Sequence, residues 1–512
     1  MALHRPDGAR ASAPSSSDAL PARWSSRRGL LLAGLGLAFG FALPRSGLMV
    51  GVGQGGGAFL VLVAGLFLLI GLPLVMMEVG LGRFARTRGG SSFSATLEAL
   101  APGSGGRFVG LLALPVALLG TVLATYVASA SFGYAFHVAT DGPLDVLPME
   151  IPAYWRAYGG AESNEWFPSP LGPWAFHLAA SALLLLALVR PAGLERASRM
   201  VVPVFGTLVL VLLVRIATLS GAATADDRLS AIWEPEWETL RAWRTWSRAT
   251  ATVLVGAGAG LGALPALGAR LAARDDAAGV GFALGAFAFG GFLLVGLAPA
   301  LLVLGQLGPG AAATDPFTFA FVTVPLAWQT VANGDAWATA WFVAQGLASF
   351  VAAVVLAQPL VAFLREVGSS ARAAPPLVAA GAWGVGQVAV VAAAEGFLAE
   401  AWGLVWSWGA PAIVLAEVVY FGWLGDRATA SRELGRGSLV EVPPLFGALV
   451  RFAVPAAILV AVPTLARDFA ADSFARGFGG DVWPMVVTRG LVLAILVVGV
   501  WRLRRPAPGG AP

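Results

Sequence analysis

Two carboxylates, Glu78 and Glu417, lie inside long apolar runs of this chain. An ionised side chain near the centre of a bilayer costs at least about 2.5 kcal/mol. Each must therefore be paired, protonated or held by backbone amides. Free amides arise where a helix is broken, and two apolar runs are rich in helix-breaking residues. The first, after Trp24, contains Gly34, Gly36, Gly40 and Pro44; the second contains Gly256, Gly258, Gly260, Gly262 and Pro265. Each glycine costs up to about 1 kcal/mol of helix stability against alanine. A broken membrane helix exposes backbone groups that protein, water or a ligand must satisfy. These residues point to handling of a solute or a proton within a membrane. Close helix packing is the alternative use of the glycines. For Glu78, a scaffold role and a proton-carrier role both fit.

Reactive groups of other kinds are scarce. The absence of cysteine removes disulfides, thiolate metal sites and a cysteine nucleophile. His4, His137 and His177 are scattered and match no metal-ligand spacing. With no cluster of nucleophile, base or metal ligands, an enzyme is not expected. A formal net charge of +4 gives no support to a nucleic-acid partner.

The elements that must position these groups are membrane helices. The 512 residues are 57% hydrophobic and only 12% charged, with a mean hydropathy of +0.77. Soluble proteins carry about 25% charged residues. Repeated apolar runs near 20 residues mean an all-α polytopic membrane protein. About twelve spans are expected, at 29–52, 57–82, 107–138, 173–190, 199–219, 246–271, 278–305, 334–364, 374–394, 402–424, 445–466 and 483–503. One set of loops holds Arg83, Arg86 and Arg88, then Arg190, Arg196 and Arg199, Arg270 and Arg274, Arg365 and Arg372, and Arg427, Arg432 and Arg436. The opposite loops are acidic, with Asp141, Asp145 and Glu150, and Glu234, Glu236 and Glu238. Arginine-rich loops stay in the cytoplasm, so both termini are expected there, in a bacterial inner membrane. Residues 1–23, rich in Ser, Pro and Ala, read as a disordered tail, and 506–512 as a second short tail. The glycine-rich spans are the first and the sixth. Five spans apart, they have opposite orientations, and paired broken helices in inverted repeats mark a secondary transporter with its site at the bilayer midplane.

Short motifs in a fixed order carry a resemblance to a known family. They begin with Trp24-Ser25-Ser26-Arg27-Arg28-Gly29 and run without a gap through Gln54-Gly-Gly-Gly-Ala58-Phe59 to Gly71-Leu72-Pro73, Glu78 and Gly82-Arg83. Further on come Glu195-Arg196 with Pro203, Ile232-Trp233-Glu234-Pro235, Phe321-Val322-Thr323-Val324-Pro325, Gln358-Pro359, Val442-Pro443 and Thr488-Arg489. Over residues 24 to 503 the chain resembles the neurotransmitter:sodium symporter family, as a divergent bacterial member. The resemblance implies a leucine-transporter-type fold: twelve helices, the first ten in a 5+5 inverted repeat, with helices 1 and 6 discontinuous. Repeat one would cover about 29–219, repeat two about 246–424 and helices 11 and 12 about 445–503, within one transporter domain at 24–505. It also implies a small organic solute, amino-acid-like or more apolar, moved by alternating access. The lipid bilayer is the other partner, and a homodimer is left open.

The same resemblance assigns positions to a site. The substrate pocket falls on Leu37, Ala38, Gly40, Ala42, Ala124, Val255, Gly256, Gly258 and Leu261. The family's sodium sites fall on Gly36, Ala38, Phe39, Leu43, Gly256, Ala286, Ala348, Val351 and Ala352. None of these side chains is a carboxylate or a hydroxyl, so sodium coupling through both sites is not expected. Thr250, Thr252, Gln345 and Ser349 are the polar side chains nearest in sequence, and they leave a sodium ion open. No other cofactor is expected. Gating or structural charges are Arg23, Arg45, Glu78, Glu366 and Glu400, with Arg45–Glu400 as an outer pair and Arg23–Glu366 as an inner pair. Loose interfacial charges are the alternative for each pair. A second functional class is a transporter-derived scaffold or sensor that moves nothing.

Overall fold

The computed structural model describes residues 20–40, 47–140, 144–159, 166–167, 169, 171–190, 192–219, 230, 232–311, 315–426, 432, 434–438, 442–478 and 482–504. The expected tails at 1–23 and 506–512 fall mostly outside these, as do Ala42, Leu43 and Arg45. Among the described residues the structure is helical, apart from one isolated bridge between Gly56 and Pro235.

Ten helices are long and apolar enough to cross a membrane. In chain order they are span 2 (Gly57–Thr87), span 3 (Gly106–Thr140), span 4 (Leu171–Val189), span 5 (Gly193–Ala217), span 7 (Ala277–Leu307), span 8 (Gly334–Glu366), span 9 (Ala374–Ala392), span 10 (Glu395–Leu424), span 11 (Pro444–Ser473) and span 12 (Trp483–Arg504). The two interrupted spans complete the expected set of twelve. Span 1 has a half 1a (Arg27–Gly40) and a half 1b (Gly47–Val52). Span 6 has a half 6a (Trp243–Ala257) and a half 6b (Ala263–Gly268). The chain is a multi-pass membrane protein.

Spans five apart in sequence pack on one another: 1a with both halves of 6, 2 with 7, 3 with 8, and 4 with 9. Contact between such partners is the arrangement that a pseudo-two-fold axis between two five-span repeats produces.

Local sequence explains the irregular turns. Wide π-helical turns end at Gly71, Thr323, Gly409 and Ala453, and a proline follows two residues after each, at Pro73, Pro325, Pro411 and Pro455. A proline has no N–H and its ring clashes with the carbonyl of the preceding turn. Widening that turn removes the clash and lets the helix continue. Span 10 begins at Glu395, earlier than the expected 402, with a tight turn at Gly396, φ 95°, in its first residues. In the structure Glu400 is neutralised inside the bundle, so its stretch stays helical.

Candidate functional site

The break of span 6 is made by backbone conformation. Gly258, Gly260 and Gly262 have φ of 62°, 74° and 67°. Side chains rarely adopt this left-handed region, so three alternate glycines turn the chain without strain. Gly256, by contrast, lies in the helix and faces the Phe292 ring of span 7.

The glycines of span 1a serve packing instead. Gly34, Gly36 and Gly40 are all helical. A Cβ on Gly34 would stand 2.5 Å from Leu284 Cδ1. One on Gly36 would stand 2.2 Å from Val351 Cγ1, and one on Gly40 would stand 2.3 Å from Ala352 Cβ. Among the described residues, 1a runs to Gly40 and 1b starts at Gly47.

Of the expected pocket residues, Leu37 and Ala38 of span 1a meet Gly258 of span 6. Leu37 lies against Gly258, whose Cβ would be 3.1 Å from its Cδ2 and 3.7 Å from the Ala38 nitrogen. Leu37, Ala38, Ala124, Val255 and Leu261 are all buried. Phe39 turns away from this centre, onto Gly291 of span 7 and Phe205 of span 5, with ring centroids 5.6 Å apart.

The positions of the family's sodium sites hold hydrocarbon. Val351 and Ala352 press their methyl groups onto span 1a at Gly36 and Gly40. The carbonyl of Ala348 also faces Gly40, 3.2 Å from its Cβ position. The polar group in this contact is one turn away: the Ser349 hydroxyl donates to the Gly40 carbonyl over 3.1 Å. That carbonyl, the last of span 1a, thus has a donor from the protein itself. Ala286 does not belong here, because it is exposed on the outer face of span 7. Leu284, Ala288 and Phe292 are the buried residues of that stretch. Two positions along a helix are about 200° of rotation, so a register error of two reverses the face.

Among the nearby polar candidates, the Gln345 amide donates to Ser131 Oγ over 2.9 Å, and the buried Thr252 hydroxyl meets no partner. A hard cation requires a shell of several oxygens. One hydroxyl and scattered carbonyls do not supply it, so the side chains present do not fit a sodium ion at the family positions. No group of three or more His, Cys, Asp or Glu that could hold a metal occurs among the described residues.

Glu78 is fully buried in span 2, and its Oε1 accepts the Gly260 amide over 2.8 Å. This is the satisfaction of a freed amide that the sequence required. Glycines also bring span 2 onto 6b backbone to backbone. A Cβ on Gly82 would stand 1.9 Å from the Pro265 carbonyl oxygen, and one on Gly268 2.1 Å from that of Val79.

The Gly55-Gly56-Gly57 motif joins the outer ends of the two broken spans. The Gly57 amide donates to Glu234 O and the Glu236 amide to Gly55 O, both over 3.1 Å. A Cβ on Gly57 would stand 2.1 Å from Trp233 O. Two motifs separated by some 180 residues of sequence are thus the two sides of one contact.

The inner pair Arg23–Glu366 does not form. Glu366 accepts from Ser92 Oγ and lies 3.9 Å from Arg107, while the exposed Arg23 lies near Arg86. Instead, the segment before span 1 is strapped across the arginine-rich end of the bundle. Trp24 Nε1 donates to Leu267 O over 3.0 Å and stacks under the Arg270 guanidinium, 5.5 Å from its ring centroid. Arg270 donates to Gln358 Oε1 over 2.5 Å. Ser25 donates from its amide and hydroxyl to Glu195, over 3.0 and 2.7 Å, and Arg199 pairs with the same carboxylate at 2.7 Å. Sequence reasoning had Trp24, Glu195 and Gln358 as motif residues but did not see that they meet.

At the opposite end, Glu400 is buried and pairs with Arg489 of span 12 at 2.9 Å, and Ser473 of span 11 donates to it over 2.7 Å. Arg45, the other expected partner, lies outside the described residues.

No protein-family model matches the chain. An uncharacterized sodium-dependent transporter of Methanocaldococcus jannaschii is 27% identical over 266 residues, which is 49% of this chain and 50% of that protein. The uncharacterized sodium-dependent transporter YhdH of Bacillus subtilis is 28% identical over 209 residues, 40% of this chain and 44% of that protein. The matches thus span about half the length of these curated relatives. The crystal structure of MhsT in complex with L-phenylalanine shares the fold, with a TM-score of 0.70, 22% identity, and coverage of 87% of this chain and 99% of that one. The chain is thus similar to proteins named as sodium-dependent transporters and shares its fold with MhsT.

Proposed function

We propose that the protein is a secondary transporter that moves a small organic solute by alternating access, with both termini in the cytoplasm of a bacterium. One transporter unit, residues 24–505, would contain repeats at about 29–219 and 246–424, followed by spans 11 and 12. The observation that carries this reading is the pair of breaks at the centre of a twelve-span bundle, lined by Leu37, Ala38, Val255 and Leu261. An apolar lining selects an apolar solute body, and backbone groups at the breaks suit the charged ends of an amino acid. Apolar amino acids are the first class to probe, and the phenylalanine bound by MhsT makes a reasonable starting probe.

Ion coupling would differ from the family pattern. Hydrocarbon at Val351 and Ala352, and the Ser349 hydroxyl on the Gly40 carbonyl, support transport without sodium at the second family site.

The test is uptake by purified protein in liposomes, with labelled apolar amino acids and then a wider solute library. Uptake is expected, with the same initial rate whether a sodium or a potassium gradient is imposed. Uptake that follows the sodium gradient overturns the ion reading. A folded protein that takes up nothing supports the scaffold or sensor reading.

A further inference from the structure

A second carboxyl meets Glu78 at the break of span 6. Glu417 of span 10 is also fully buried, and the two carboxyl groups are within hydrogen-bonding reach of each other. The Gly260 amide occupies Oε1 of Glu78, whereas Oε2 and both oxygens of Glu417 meet no donor side chain or amide among the described residues. One face of span 10 produces this contact. A Cβ on Gly260 would stand 2.6 Å from Ala410 O and 2.8 Å from Val414 Cγ2. Positions 410, 414 and 417 share that face, at helical spacings of four and three.

Other charged groups of the surrounding elements are engaged elsewhere. Spans 7 and 6b contain no charged residue between their ends. Asp276, before span 7, accepts from the Gly279 amide. Arg83 of span 2 donates to the carbonyls of Asp275, Arg436 and Leu434. Glu98, on the helix after span 2, accepts from the amides of Gly103 and Arg107. Arg451 of span 11 lies over the Trp423 ring at 4.1 Å.

Two ionised carboxylates in contact within a low-dielectric interior repel strongly, and such pairs resolve this by sharing one proton. The geometry points to a proton-binding site formed by Glu78 and Glu417, whose occupancy is linked to the position of the span 6 break relative to span 10. In the closed arrangement one carboxyl is a carboxylic acid, and its O–H donates to the other, ionised carboxyl. If span 10 separates from the break, that hydrogen bond is lost and water reaches the pair. The O–H bond then breaks, the proton passes to water, and both groups are left as hydrated carboxylates. A ligand that binds one of two conformations more tightly shifts the equilibrium between them. The proton would therefore favour the closed break. The site adds a coupling ion to the transport reading and rests on that reading for its purpose, not for its existence.

The experiment needs no transported solute. Infrared spectroscopy of the purified protein in nanodiscs at neutral pH is expected to show the C=O stretch of a buried carboxylic acid. Glu78→Gln and Glu417→Gln should each shift that band, and the two together should remove it. Glutamine keeps an acceptor for the Gly260 amide and is nearly isosteric, so both variants should fold; monodisperse elution checks this. For linkage, the cysteine-free chain accepts a single reporter, Leu261→Cys. Its maleimide alkylation rate, divided by the rate in the same background carrying Glu417→Gln, should rise with pH by up to about tenfold per unit, the limit for one linked proton. The division cancels the thiol's own titration. A wild-type spectrum without the band, or a band that survives both substitutions, overturns the proton site. A ratio that is flat with pH overturns its linkage to the break. Absence of uptake in liposomes would count against the transport reading and leave the infrared result standing.

Discussion

Ser349 is a polar side chain that ties the described end of span 1a to span 8. Its hydroxyl gives the Gly40 carbonyl the partner that a helix end otherwise lacks. Ser349→Ala leaves that buried acceptor unpaired, a loss of about 1–3 kcal/mol. Thermal unfolding in detergent should register it as a lowered midpoint. The neighbouring contact is steric. Gly36→Ala places a methyl group 2.2 Å from Val351 Cγ1 and should lower stability as overpacked core substitutions do, by about 1–3 kcal/mol. Adding Val351→Ala removes the opposing methyls and should recover part of the loss. A double-mutant cycle with no coupling between these positions would remove the contact as an explanation.

At the scale of elements, the span 6 break is a backbone object, and its glycines should differ in a stated order. Gly260→Ala imposes a left-handed residue, costing about 1–2 kcal/mol, and drives a Cβ to 2.6 Å from the immobile Ala410 carbonyl. Gly262→Ala imposes the same conformation against side chains alone, the Ala113 methyl at 3.0 Å and Phe93 Cβ at 3.9 Å. Gly105→Ala, at φ 80° in the same left-handed region with nothing within 4 Å, carries the conformational cost alone. Folded yield and melting temperature should therefore fall most for Gly260→Ala, less for Gly262→Ala and least for Gly105→Ala. Equal effects at the three sites would refute a steric role for span 10 at the break. The strap of Trp24 and Ser25 across spans 5, 6b and 8 is the corresponding device at the arginine-rich end.

The whole molecule presents two ends of opposite charge. By the positive-inside rule, the end with arginine-rich loops is expected in the cytoplasm. The chain contains no cysteine, so single substitutions report orientation without background. Ser370→Cys lies between spans 8 and 9 on the arginine-rich side, and Glu238→Cys lies before 6a on the acidic side; both positions are exposed. A membrane-impermeant maleimide applied to intact cells should label the cysteine at 238 and spare that at 370 until lysis. The reverse pattern would invert the topology.

The number of spans, the two interruptions and the burial need of Glu78 were legible in the sequence, because each depends on local quantities: apolar run length, glycine content and the cost of a charge in lipid. The motif around Gly55-Gly56-Gly57 was legible as a motif, while its purpose, docking the segment at Trp233–Glu236, was not. Side-chain partners across distant segments were the part that sequence could not supply. Glu366 meets Ser92 and Arg107 in place of Arg23, and Ala286 faces outward while Ala288 faces in. Each turns on helix rotation, and at 100° per residue an error of one or two positions changes the neighbour. Gly34, Gly36 and Gly40 looked like breakers and proved to be contact points, since a glycine either bends a helix or admits a neighbour, and only the packed partner decides which. By itself, then, the sequence determined a twelve-span membrane protein with two broken helices and an apolar centre. The tertiary structure decided that Val351 and Ala352 press on Gly36 and Gly40 and that Glu78 meets Glu417, because both follow from which faces of separate helices are pressed together.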